Sequence, residues 1–260
     1  TQDVANGKLG QYKILFVPFP VMLSSDVADG IKRYAQGGGT VVAEARLAWN
    51  NERGFASTVI PGIDLDKVFG AREKLIQPAD KPQIAIEASA NLPGLTGVGP
   101  VSGAAFEEDL EAYPGSQVLG RFEDGEPAVI ENSVGSGKTI LVGSFVALGY
   151  EEHQDANTRQ FLVSLAKLAG VSAEVEISGP GKSEIEVRRL VSDHEQIIFA
   201  FNESNDLLNT TLSLDVPGVI QHAINWADDR DVPFQTQDGK VLLKKTFAPG
   251  EVWVVSLAIH

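Results

Sequence analysis

The sequence predicts an α/β domain over residues 1–171, a parallel sheet with flanking helices, followed by a small antiparallel β-sandwich over residues 172–260. Three observations carry this expectation. A strand–helix–strand succession fills residues 12–47, a capped amphipathic helix occupies 155–169, and the helical period disappears after Gly170. Strand, helix and strand within so short a stretch make the right-handed crossover unit of an α/β sheet.

The first strand is YKILFVPFP (12–20), a continuous apolar run closed by two prolines, as expected of a buried parallel strand. Ser24 and Ser25 can cap a helix whose apolar positions Val27, Ile31 and Tyr34 recur at helical spacing. Gly37, Gly38 and Gly39 stop that helix, and TVVAEARL (40–47) reads as the next buried strand. Residues 62–70 suggest a short helix and PQIAIEA (82–88) a strand, while the Gly- and Pro-bearing stretch 89–117 reads as long loops. VLGRF (118–122) and PAVIENSV (127–134) are joined at Asp124-Gly125, a hairpin turn signature, and GKTILVGSF (137–145) is a further strand. In the helix at 155–169, Asp155 or Asn157 can cap, Phe161, Leu165 and Leu168 form the apolar stripe, and Gly170 ends it. Beyond it, short alternating segments separated by Gly, Pro, Asn and Asp set the β-sandwich.

Composition excludes several functions. The chain has 260 residues, 43% of them hydrophobic, which is ordinary for a globular protein and not for a disordered one. No apolar run reaches the length of a membrane span. A net charge of −14 without a basic cluster argues against nucleic acid or an anionic membrane surface as partner. The absence of cysteine removes disulfides, thiolate zinc sites and Cys nucleophiles, and leaves the compartment open.

Catalytic signatures are weak. Asn132–Thr139, ending in GKT, imitates a phosphate-binding loop, but Asn132 stands where that pattern requires Gly. Thr139 also leads into a strand, whereas a phosphate loop opens a helix. A tight hairpin is the expected structure, and Lys138 is not expected to hold a nucleotide. No G-x-S-x-G elbow occurs, and His153, His194, His222 and His260 lie scattered without metal-ligand spacing. Glu107, Glu108 and Asp109 are adjacent in what reads as a loop, the pattern of a solvated acidic face. No catalytic residue, metal site or cofactor is therefore expected. The candidate site is the loop after the second strand, where Trp49, Asn50, Asn51 and Arg53 offer an aromatic platform, two amides and a charge. Loops at the carboxyl ends of strands are where α/β sheets meet ligands and partners. Such a set suits sugar hydroxyls or a protein neighbour; alternatively Trp49 plugs the sheet and Arg53 pairs with Glu52.

The succession YKILFVPFPVMLSSDVADGIKRYAQGGGTVVAEARLAWNNERG, IPGIDLDKVFGA and GEPAVIENSVGSGKTILVGS resembles the middle, trimerisation domain of family 42 glycoside hydrolases, the β-galactosidases. The tail ending KVLLKKTFAPGEVWVVSL is similar to the C-terminal β-domain of the same enzymes. The resemblance implies a flavodoxin-like sheet of the class I glutamine amidotransferase type without the catalytic cysteine. It implies a non-catalytic role in homotrimer assembly beside an upstream TIM barrel, with galactosides as possible ligands of the assembled enzyme. It also puts the Trp49–Arg53 loop near a neighbouring subunit's active site. Such a domain opens with a strand and helix that Thr1–Gly10 is too short to supply, so the sequence is expected to be a C-terminal piece of a longer protein, lacking that first βα unit.

Overall fold

A computed structural model describes residues 1–88, 90, 92–94 and 99–259. The chain divides into two compact units, Thr1–Ser172 and Ala173–His260.

The first unit contains α1 (Gln2–Ala5), β1 (Ile14–Val17), α2 (Ser25–Gln36), β2 (Thr40–Glu44), α3 (Leu65–Phe69), β3 (Ala71–Pro78), β4 (Gln83–Ile86), β5 (Val101–Ser102), β6 (Phe106–Ala112), β7 (Gln117–Phe122), β8 (Pro127–Val134), β9 (Gly137–Val142), α4 (Val146–His153) and α5 (Ala156–Leu168). Helix α2 forms where the sequence indicates. The Ser24 hydroxyl accepts the Val27 N–H at 3.4 Å; the buried stripe is Ala28, Ile31 and Ala35, while the expected Val27 and Tyr34 are only half-buried against the same core. Strands β1 and β2 pair in parallel, and β2 pairs in parallel with β9 on its other edge.

Beyond that point the expected architecture is not the one formed. The seven-stranded sheet runs β1-β2-β9-β8-β7-β4-β5, and every pair from β9 to β5 is antiparallel. The sheet of this unit is therefore mixed, and with strands making up 43% of the whole chain and helices 18% the fold is not a flavodoxin-like or glutamine amidotransferase-like parallel sheet. The physical reason lies in the connections. A parallel neighbour needs a crossover of a dozen or more residues, whereas β7, β8 and β9 follow one another through tight turns and must reverse direction. The turns at Asp124-Gly125 and Gly135-Ser136 are those reversals.

Three local expectations also need correction. Residues 89–117 were expected as loops, yet β5 and β6 lie there, and β6 pairs antiparallel with β3 in a separate two-stranded sheet. (Residues 89, 91 and 95–98 lie outside the described residues.) Glu108 and Asp109, expected on a solvated face, are buried on β6. Strand β1 is an edge strand with Phe16 exposed, not a buried one. Helix α4 had no counterpart in the sequence reading; it begins without a side-chain cap.

Side-chain alternation fills both faces of the sheet. Val41, Ile130 and Leu141 point into a core with Ile31, Leu65, Phe69 and Leu110. Their neighbours Val42, Val129 and Ile140 point the opposite way, against Ile84, Leu119, Phe161 and Leu165. The GKT segment is a hairpin, with Val134 opposite Gly137 and Lys138 paired to Glu131 at 2.7 Å. Its glycines answer a close approach: a Cβ on Gly137 would lie 2.2 Å from the Ala35 carbonyl oxygen at the end of α2.

The second unit is antiparallel throughout. Strands β10 (Val175–Ser178), β13 (Leu208–Asp215), β16 (Phe234–Gln237) and β17 (Lys240–Phe247) form one sheet in the order β10-β13-β17-β16. Strands β11 (Ile185–Val191), β12 (Glu195–Asn202), β14 (Ile220–Asn225), β15 (Arg230–Asp231) and β18 (Val252–Ile259) form the other, in the order β11-β12-β18-β14-β15. Their inner faces share a core of Ile198, Leu212, Leu243, Phe247, Trp253 and Val255.

The Asp155 carboxylate caps α5, accepting the Asn157 and Thr158 N–H groups at 2.7 and 3.1 Å, and takes a third bond from the Ser102 hydroxyl on β5 at 2.8 Å. Asp155→Ala removes all three and is expected to lower the unfolding free energy by about 1–2 kcal/mol. Urea titration followed by circular dichroism reads this as a lower midpoint, and an unchanged midpoint would contradict the assignment.

Candidate functional site

The carboxyl ends of β1 and β2 carry two loops that are laced together. Asn50 pairs with Met22 of the first loop and with Ala56 of its own. Its N–H donates to the Val21 carbonyl at 2.9 Å, and its carbonyl accepts the Leu23 N–H at 3.1 Å. Met22, Trp49 and Phe55 thereby lie on adjoining segments, and all three are exposed.

Each residue expected in the site has a defined place. The Trp49 ring lies under the Arg46 guanidinium, whose central carbon is 3.9 Å from the ring centroid. The Asn50 amide donates to the Gly54 carbonyl at 2.9 Å. The Asn51 side-chain oxygen accepts the Arg53 and Phe55 N–H groups at 3.0 and 3.1 Å, an Asx turn. The two amides therefore shape the loop, and Trp49 and Arg53 are its outward elements. Among the described residues no ion pair joins Arg53 to Glu52.

Beneath this surface is a charged cluster that the sequence reading did not single out. Arg46 has φ of 62°, a left-handed conformation for a residue with a side chain. Its guanidinium pairs with Glu73, and its N–H donates to Glu108 Oε2 at 2.6 Å. Glu108 is fully buried and its Oε1 has no hydrogen-bond partner. Burial, with Glu73 nearby, pushes its carboxyl up to about 8 against the opposing pull of Arg46. Glu44 joins three elements: Oε2 accepts the Phe19 N–H at 3.2 Å and Oε1 the Ala147 N–H at 2.7 Å at the start of α4. Burial raises its pKa also, opposed by those amides. Two signals were present. Glu44 and Arg46 interrupt an apolar strand run, and Glu108 shares its strand face with Phe106 and Leu110.

Among the described residues, this cluster is built from the carboxylates of Glu44, Glu73 and Glu108 and the Arg46 guanidinium, with no hydroxyl, thiol or imidazole among them. His153, His194 and His222 lie far apart in the chain on α4, a turn and β14; His260 is outside the described residues. The loops present apolar and cationic surface over a buried, self-contained ionic support.

The model of the β-galactosidase trimerisation domain matches residues 3–177, and the chain belongs to that family. It is 25% identical over 207 residues to β-galactosidase LacZ of Heyndrickxia coagulans, covering 76% of this chain and 28% of that protein. Among solved structures, the β-galactosidase of Bacillus circulans sp. alkalophilus aligns with a TM-score of 0.73 at 20% identity, over 96% of this chain and 34% of that one. The β-galactosidase of Rahnella sp. R3 aligns with a TM-score of 0.72 at 21% identity, over 98% and 34%. The chain thus spans about a third of the length of the proteins it matches.

Glu108 gives stability a definite pH dependence. Its folded carboxyl titrates near 8 against an ordinary 4.5, so the folded state holds the proton more tightly. That contribution is complete below pH 4.5 and is lost as pH rises to about 8, at up to ~1.4 kcal/mol per pH unit. Glu108→Gln, uncharged at every pH, is expected to flatten this slope and to be more stable than the parent at pH 8. Denaturant titrations at pH 5 and 8 check it; parallel slopes for the two proteins would exclude Glu108 as the titrating group.

Proposed function

We propose that this chain is the non-catalytic assembly region of a β-galactosidase-like glycoside hydrolase. It joins copies of itself into a homotrimer, beside a TIM-barrel catalytic domain in the same parent protein, and catalyses no reaction alone. The observation that carries the reading is the family match over residues 3–177. The loop surface supports it. Phe55 is 68% exposed, Met22 57% and Trp49 38%, and an apolar cluster at one end of a sheet is the kind of surface that subunit contacts cover. In this reading the Trp49–Arg53 loop lies at the seam, where Trp49 and Arg53 help to wall a neighbouring subunit's active site. Trp and Arg are the residue types that concentrate interface energy.

Sedimentation of the isolated chain tests the proposal. A trimer without aryl-galactoside turnover is expected, and a monomer at the highest attainable concentration, or measurable turnover, would refute it. Trp49→Ala is expected to weaken association by about 2 kcal/mol, roughly 30-fold in the association constant.

A further inference from the structure

Strand β6 presents its acidic residues on two faces. Phe106, Glu108 and Leu110 point to the core, while Glu107 and Asp109 point together to the other side. There they meet Asp124, in the turn between β7 and β8. One carboxylate oxygen from each of Glu107, Asp109 and Asp124 lies within 4.8 Å of the other two.

Asp109 does not fit a solvated acidic face. It is only 4% exposed, and its Oδ1 is buried without a hydrogen-bond partner. A buried, unsatisfied carboxylate oxygen beside two further carboxylates is an expensive arrangement unless something positive completes it. Burial and the charge of Asp124 push the carboxyls of both Glu107 and Asp109 up. Lys74 acts on Asp109 from a distance, but its ammonium is held by both oxygens of Glu126 at 2.8 Å. Glu107 also lines a cleft of about 290 Å³ with Asp80, Lys81 and Glu123.

We propose that Glu107, Asp109 and Asp124 form a calcium site that ties the β7–β8 turn to β6. The ligand chemistry selects a hard divalent cation, because all three groups are carboxylates. Calcium accepts irregular shells of oxygen ligands completed by water, whereas magnesium demands near-octahedral geometry, and three carboxylates from a strand and a turn suit the former. The two strand ligands come from rigid backbone at i and i+2, and the turn supplies the third. Binding therefore orders the turn against β6.

The test uses the 260-residue chain, stripped of metal with a chelator and titrated with calcium chloride by calorimetry and thermal melting. Saturable binding of one ion per chain is expected, with a Tm that rises with the logarithm of calcium concentration in the millimolar range. Asp124→Asn keeps the turn's own hydrogen-bonding shape and is expected to lose at least about tenfold in calcium affinity, with the metal-free Tm unchanged or higher. Asp109→Asn is expected to remove the calcium response and to raise the metal-free Tm by relieving repulsion. If that variant fails to fold, Asp124→Asn decides alone. An absent calcium shift, an undiminished shift in Asp124→Asn, or an equal shift from magnesium would overturn the assignment.

Discussion

Strand β2 has both edges paired and all five residues buried, and the N-terminal unit is organised around that constraint. A strand covered on two faces must be apolar along its length, so its charged residues gather at its end and must find partners there. Glu44 does so by accepting N–H groups from the loop after β1 and from the start of α4. Arg46, two residues on, does so through Glu73, Glu108 and the Trp49 ring. The position of the exposed loop is thus fixed from below by a largely buried ionic network. Trp49 is presented outward because its inner face rests on the Arg46 guanidinium.

Much of this was legible from local pattern. The Ser24 cap, the span of α2, the apolar run of β2 and the Asp155 cap of α5 are short-range features, and each lies where the sequence puts it. Strand direction was not legible in the same way, because it belongs to connections. A strand–helix–strand opening implies a parallel sheet, and the chain abandons that plan once hairpins take over at β7. The Asp124-Gly125 turn is visible in the sequence and argues for reversal there; the opening unit sets the parallel direction only of β1, β2 and β9. Strand β6 escaped notice because a high acidic content masked its alternation.

The site divides along the same line. The Trp49 loop stood out as an aromatic and polar cluster in contiguous sequence. Its support did not, since Arg46 and Glu108 are 62 residues apart, and Glu44 and Ala147 are 103 apart. Only folding brings such groups together. Single-residue signals, a charge inside an apolar run or an acid in phase with Phe and Leu, mark where to look without naming the partner.

The hairpin at Gly135–Gly137 carries a wider lesson about sequence motifs. Its glycines exist because the backbone at the end of α2 occupies the space where side chains would be. Selection at such positions acts on the absence of atoms, and absence has no chemical signature of its own. A run shaped by backbone crowding and a run shaped by an anion therefore converge on the same letters. Here Lys138 completes the imitation by chance of pairing, since Glu131 across the hairpin gives it a sufficient reason to be basic. Glycine-rich signatures are consequently best interpreted with the element that follows them: a helix leaves room for a guest, and a strand has already filled it.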